Sequence, residues 1–259
     1  VNIITLTSDY GNNSHYIASI KGNLLKHITN IQIVDVSHGI QKFNKIEAAF
    51  VLSNSYKNFI EGSIHLICVE TNIFEYKNIV IAKHQNQYFI ALDNGIINLM
   101  FDQKQAEIWV LKYALLANVD LFIENDVFVK IAEHIINKLP ITDIAQLGNM
   151  TSDLTLSNIS IEEDGITAQA AFIDGFGNVH YNLSKDTFEK VRKGRNFKVF
   201  YARKNFFDKI SQHYTEGIAG TELLLFNSNN YMEIATNRGN ASQLLGLKIN
   251  SKIMIEFFN

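Results

Sequence analysis

Proline is almost missing from this chain: Pro140 is the single example in 259 residues. Asparagine, isoleucine and lysine are abundant at the same time, which marks a compositional bias across the whole sequence rather than a functional signal. A proline or arginine absent from a motif therefore carries reduced weight. Cysteine is equally scarce. Cys68 stands alone, which excludes an intrachain disulfide and fits a reducing, cytoplasmic setting. Flanked by Ile64-His65-Leu66-Ile67 and Val69, it reads as a packed core thiol rather than a nucleophile. An excess of one charge is missing too. With 23 basic and 26 acidic residues the net charge is −3, and no basic cluster stands out. Phosphate neutralisation needs concentrated Lys and Arg, so nucleic acid is excluded as the main partner. Neither a bilayer-length apolar run nor an amino-terminal signal segment is evident, so the expectation is a soluble cytoplasmic protein without a membrane partner.

What is present is a change of pattern along the chain. Residues 1–148 alternate strand-like and helix-like segments: strands at 3–7, 31–36, 63–69, 79–83 and 88–92, helices at 14–29, 45–56 and 125–138. Repeated βα units of this kind predict a mostly parallel sheet with helices on its faces. Residues 140–153 are polar and turn-rich and read as a linker. From 154 to 259 short strand candidates follow at 165–172, 178–182, 198–202, 222–226, 231–235 and 252–257, with helices only at 184–192 and 241–245. That spacing suggests a small barrel or sandwich. The fold class is α/β: an amino-terminal α/β domain (1–148) and a smaller, mainly-β barrel-like domain (154–259).

Several turns carry chemistry-bearing residues. Thr7-Ser8-Asp9-Tyr10-Gly11 places Asp9 at the exit of a buried strand, where open α/β sheets bind ligands. Its carboxylate suits a vicinal diol, although a helix-capping aspartate followed by a turn glycine is the simpler reading of this stretch. Asp93-Asn94-Gly95 is first of all turn chemistry, and His38 and Phe43 read most simply as a satisfied histidine and a packing aromatic. The segment Asp174-Gly175-Phe176-Gly177-Asn178 is stronger, because a hairpin turn accounts for the glycines but not for an aromatic at a loop apex.

In order, these segments resemble the S-adenosylmethionine (SAM) hydroxide adenosyltransferase family, relatives of the SAM-dependent fluorinase and chlorinase. The family's Thr-Asp-Phe-Gly turn is matched by Ser8-Asp9-Tyr10-Gly11. Its Val-Asp-(Ile/Val)-(Thr/Ser)-His segment is matched by Val34 to His38, its Asp-Asn-Gly by Asp93 to Gly95, and its Asp-x-Phe-Gly-Asn by Asp174 to Asn178. Asn227-Ser228, Glu233-Ile234-Ala235 and Gly239-Asn240-Ala241 follow in step. The resemblance implies an α/β domain plus a β-barrel domain. It also implies a homotrimer binding SAM between the first domain of one subunit and the second of its neighbour. No metal and no cofactor is implied, SAM being the substrate. Asp9 would hold the ribose and Phe43 would pack along sugar and sulfonium. Asp174 and Ser228 would hold the methionine ammonium and carboxylate, with Phe176, Asn178 and Tyr214 against the ligand.

The departures fall on the hydrolytic triad of Asp, Arg and His. The family's Val-Asp-Pro-Gly-Val-Gly stretch is Val69-Glu70-Thr71-Asn72-Ile73-Phe74 here, with Lys77 at the arginine position. Its Phe-His-Gly-Arg-Asp segment is Phe122-Ile123-Glu124-Asn125-Asp126, so Ile123 stands at the imidazole, and Ser14 replaces a second aspartate in the first loop. Glu70 and Lys77 keep the charge signs, but lysine lacks the guanidinium fork. The resemblance implies hydrolysis of SAM to adenosine and methionine, with Glu70 and Lys77 positioning water. Alternatives are a SAM- or adenosine-binding protein without catalysis, and a halide adenosyltransferase. His38 and His134 are the candidate substitutes for the missing imidazole, and neither is favoured.

Overall fold

The computed structural model describes residues 1–76, 78–101, 105–112, 122–151, 159–202 and 205–259. The chain divides into two compact units, Val1–Thr155 and Leu156–Asn259. The first contains β1 (Asn2–Ser8), α1 (His15–His27), β2 (Ile31–Ser37), α2 (Lys45–Ser55), β3 (Ile64–Cys68), α3 (Ile73–Tyr76), β4 (Ile79–His84), β5 (Gln87–Leu92), α4 (Ile96–Met100) and β6 (Glu107–Leu111). A π-helical turn (Glu124–Phe128) then runs into α5 (Val129–Ile136), followed by α6 (Ile141–Ile144) and β7 (Ala145–Leu147).

The apolar runs of the first unit are continuous because its central strands are buried on both faces. Ile64, Leu66 and Cys68 of β3 point to one side with Ile4, Leu6, Ile79, Ile81 and Ile90, against Ile20 and Leu24 of α1 and Ile131 of α5. Ile67, Val80, Ala82, Phe89 and Ala91 point to the other, against Ala48, Ala49 and Leu52 of α2. Ser14 caps α1 by accepting from the Tyr16 N–H, and Asn44 caps α2 by accepting from Glu47.

The strand order is β2-β1-β3-β5-β4-β6-β7. β1 pairs parallel with β2 and β3, and β3 with β5, whereas β5–β4, β4–β6 and β6–β7 are antiparallel. The sheet is thus α/β and parallel in one half. The other half starts from the β4–β5 hairpin, whose turn residues Gln85 and Asn86 both take positive φ. The stretch expected as a linker instead supplies α6 and the edge strand β7, and Thr151 donates twice to Asp93 Oδ2, at 2.8 and 2.5 Å. Because β1 lies between β2 and β3, the chain reverses direction of travel across the sheet there. The carboxyl ends of β1 and β3 form the crevice that such a reversal opens.

The second unit holds β8 (Ser160–Glu162), β9 (Gly165–Ile173), β10 (Val179–Ser184), α7 (Lys185–Arg192), β11 (Asn196–Phe200), β12 (Phe206–Phe207), β13 (Glu222–Phe226), β14 (Tyr231–Thr236), α8 (Ala241–Leu245) and β15 (Lys252–Phe258). Its eight strands pair antiparallel throughout in a barrel-like sheet. Alternation does the sorting: Ile253, Ile255 and Phe257 of β15 point inward between exposed neighbours, and Phe188 of α7 fills the same core. Among the described residues no helix is long and apolar enough to cross a membrane.

One buried polar group makes the first unit sensitive to acid. His65 lies on β3, stacked on Phe89, with Nε2 2.7 Å from Gln87 Oε1 and Nδ1 2.8 Å from Thr5 Oγ1. The Gln87 oxygen only accepts, so Nε2 carries the proton and Nδ1 accepts from Thr5. Burial pushes the imidazole down to about 4, against a small opposing effect of Gln87. A histidine whose folded value is depressed contributes stability that is complete above its unfolded value, near 6.5, and is lost as pH falls through 4. Urea denaturation between pH 7 and pH 4 is expected to show a loss of order 3 kcal/mol from this group. The loss should be absent in His65→Gln.

Candidate functional site

Asp9 leaves β1 directly into the crevice. Its Oδ2 accepts the backbone N–H of Phe43 at 2.9 Å and of Glu70 at 3.3 Å, so one carboxylate oxygen ties together the turns after β1, β2 and β3. Both of those residues are held at positive φ, 65° for Phe43 and 49° for Glu70, conformations that side chains with a Cβ resist. Both bonds fall on Oδ2, and Asp9 lines the cleft described below.

Asn94 completes the hold on Glu70. Its Nδ2 donates to the carbonyls of Val69 at 2.9 Å and Glu70 at 3.2 Å, and its Oδ1 accepts from Ile96. The Asp-Asn-Gly turn is therefore scaffold for the crevice, with Asn94 gripping the Glu70 peptide from the opposite side to Asp9. The Glu70 carboxylate pairs with Lys45 Nζ at 2.8 Å, and that ammonium also donates to Tyr76 Oη at 3.2 Å. Burial alone would lower the Lys45 ammonium, but its bonds to Glu70 and Tyr76 turn the net shift upward, so it stays charged. Lys45 was not singled out in the sequence. Its signal was only a basic residue at the first position of a capped helix. Lys77 lies outside the described residues.

Asp9, Tyr10, Phe43, Glu70 and Thr71 line one cleft of about 490 Å³, which Ser14 also borders. Phe43 is 67% exposed on its rim, so it is not the packing aromatic that its sequence setting allows. Ile123, at the expected imidazole position, is fully buried in the core and out of reach of any ligand. Neither candidate substitute histidine is free. His38 bonds to Ser8 Oγ at 2.7 Å and to Asp35 at 3.1 Å, while His134 meets the Pro140 carbonyl at 2.8 Å.

The second unit has its own cleft, of about 710 Å³, and it gathers Asp174, Phe176, Asn178 and Tyr214 with Arg238 and Asn240. Asp174 organises its loop: Oδ1 accepts the N–H groups of Phe176 and Asn178, both at 2.9 Å, and Oδ2 accepts Asn178 Nδ2 at 3.1 Å. That geometry pushes Phe176 outward, 80% exposed. Ser228 sits exposed on the β13–β14 turn and is not among the residues lining this cleft. Behind the wall, Tyr214 donates to Glu233 Oε2 at 3.2 Å, and His180 bridges Glu233 at 3.2 Å and Asp174 at 3.5 Å. Burial pushes the fully enclosed Glu233 up to about 7 and pushes His180 down. The sequence marks Glu233 only as part of the Glu-Ile-Ala match and gives no signal for His180 or for their pairing.

The loop depends on Gly177. It takes φ +82°, and a Cβ there would lie 2.2 Å from the Asn240 side chain, which caps α8. Gly177→Ala is expected to lower stability by more than about 1 kcal/mol, read by thermal denaturation, and to weaken any ligand of this cleft while leaving the first unit intact.

Residues 4–145 match the SAM hydroxide adenosyltransferase N-terminal domain and residues 168–254 the C-terminal domain of the same family. A Methanocaldococcus jannaschii protein named (R)-S-adenosyl-L-methionine hydrolase is 27% identical, covering 98% of this chain and 96% of its own. A Salinispora tropica protein of the same name is 23% identical, covering 97% of each. Among solved structures, an uncharacterized conserved protein from Thermotoga maritima superimposes with a TM-score of 0.85 at 26% identity, covering 98% of this chain and 99% of its own. The ordered motifs, the two-unit fold and these matches over most of the chain have one meaning: the protein belongs to the SAM hydroxide adenosyltransferase family.

Proposed function

We propose that this protein hydrolyses SAM to adenosine and methionine by attack of water at C5′. The observation that carries the reading is the Asp9–Glu70 arrangement at the strand-reversal crevice, with an exposed aromatic on its rim. SAM is a sulfonium, so methionine leaves as a neutral thioether and needs no acid to protonate it. The protein has to orient the ribose, order a water opposite sulfur and exclude bulk solvent. In this reading the Asp9 carboxylate accepts from the ribose hydroxyls, Phe43 offers a ring face to the cation, worth roughly 0.5–2 kcal/mol, and the Lys45-held Glu70 carboxylate positions the water.

In the same reading Asp174 and Ser228 take the methionine ammonium and carboxylate, Ser228 from the β13–β14 turn outside the cleft lining, and Phe176, Asn178 and Tyr214 pack on the ligand. The second cleft then serves a neighbouring copy's first cleft in a homotrimer. The exposed Phe43 and Phe176 support this, since each leaves an apolar ring uncovered within its own unit. The setting is the cytoplasm, where the lone Cys68 stays a thiol, and no cofactor takes part. A second reading, SAM or adenosine binding without turnover, is favoured by one observation: the buried Ile123 at the imidazole position.

Adenosine and methionine released from SAM by the purified protein, followed by chromatography, test the proposal. Turnover is expected, with Glu70→Ala slower by about 10²-fold or more. No release above buffer at saturating SAM, with tight binding by calorimetry, selects the second reading. Product that forms only with chloride and elutes as a halogenated nucleoside would turn the reading to halide transfer. A strictly monomeric protein in sedimentation would remove the shared-site arrangement.

A further inference from the structure

Three of the positions where this chain departs from the family motifs touch one another. Tyr10 stands at the phenylalanine of the first turn, Thr71 at a proline, and Glu124 at the glycine after the expected imidazole. The fold brings them from three places: the turn after β1, the turn after β3, and the π-helical turn ahead of α5. The Tyr10 and Thr71 hydroxyls both donate to Glu124 Oε1, and their own oxygens lie 3.4 Å apart. Glu124 is 1% exposed and stands behind the part of the cleft wall that Tyr10 and Thr71 form. Phenylalanine, proline and glycine at these positions have no group able to make the contact.

A carboxylate taken out of water needs compensating partners. Those of Glu124 are hydroxyls rather than a cation. Burial pushes its carboxyl above the usual range, the Thr71 and Tyr10 bonds restrain the rise, and the Asp9 charge adds to it. The other titratable groups facing it are neutral, since burial keeps Tyr10 a phenol and Cys68 a thiol. On its own turn Asp126 is the nearest charge in sequence. The result is a buried base of raised proton affinity, one hydroxyl away from the cleft.

We infer that Glu124 accepts the proton of the attacking water in the first cleft, working through the Thr71 hydroxyl. This rests on the hydrolase reading above. Thr71 has one O–H, and it is committed inward to Glu124, so toward the cleft its oxygen can only accept. A water donating to it is aimed by that bond. As the water oxygen bonds to C5′, the C5′–S bond breaks and sulfur keeps the electron pair. The water's proton moves to Thr71 Oγ1 while the Thr71 proton moves to Glu124 Oε1. SAM cation and water give adenosine, methionine and one proton, which Glu124 later releases to solvent. Glu124 is thus a positioning and relay group, and Thr71 is the residue that meets the water.

The test uses the full chain with Glu124→Gln, which keeps the shape and removes the basicity. kcat for SAM is expected to fall by about 10²–10³-fold with KM changed little. The acid limb of the kcat–pH profile, where activity rises with pH as Glu124 ionises, should vanish. Thr71→Val should show the same fall, and Thr71→Ser should recover most of it. Unchanged kcat and pH profile in Glu124→Gln, beside an active parent protein, overturns the relay and leaves the hydrolase reading standing. An inactive parent overturns both. If Glu124→Gln melts early, the Thr71 pair decides: loss in Val with recovery in Ser supports the relay, and equal activity in the two overturns it.

Discussion

The Glu70 peptide is the constraint on which the first cleft depends. It is held in a left-handed conformation, a state costing of order 1–3 kcal/mol for a residue with a side chain. Asp9 grips its N–H and Asn94 its carbonyl, and the first of these is a bond to a charged group, worth about 1.5–3 kcal/mol. The strain and the Asp9 bond are of similar size, so the clamp offsets the cost of the turn. The same Asp9 oxygen holds Phe43 in a second left-handed turn. One carboxylate thereby sets where the acid, the aromatic and the adjoining Thr71 point.

Around that clamp, positions that depart from the family motifs contact one another. The imidazole position became a core isoleucine, packed with Val127 and Ile131 in the cluster beneath α5. The residue after it became a buried glutamate whose partners arrived at two other motif positions. Glu70 found its cation one helix away, at Lys45. The second unit follows a similar logic: its visible loop residues are braced by an interior pair, His180 and Glu233, that touches Asp174 and Tyr214 from behind.

Much of the architecture was legible because it is written locally. The helices at α1 and α2, the buried run of β3 and the strand at β15 follow from residue spacing. β6 and β7 were not read: the first has a mixed burial pattern, and the second is three residues long with only Ala145 buried. Their pairing with β4 and with each other is antiparallel, and together with the β4–β5 hairpin it leaves the sheet parallel only in part. In the candidate site, Asp9, Glu70, Asp174 and Phe176 were legible from turn chemistry and resemblance. Lys45 and His180 were not, because a lysine on a helix and a histidine on a strand have no local pattern that separates them from ordinary surface or packing roles, and Glu233 was legible only as part of the Glu-Ile-Ala match, not as the partner of His180.

By itself the sequence determined the α/β-then-β order and the turns that carry acids and aromatics, since periodicity and turn preference act over a few residues. The tertiary structure alone decided who meets whom. Thr71 and Glu124 lie on opposite sides of several intervening elements, and Glu70 and Lys45 on different sides of β3. Those meetings depend on strand order and on the register of loops at neighbouring strand ends, and no local run of residues encodes either.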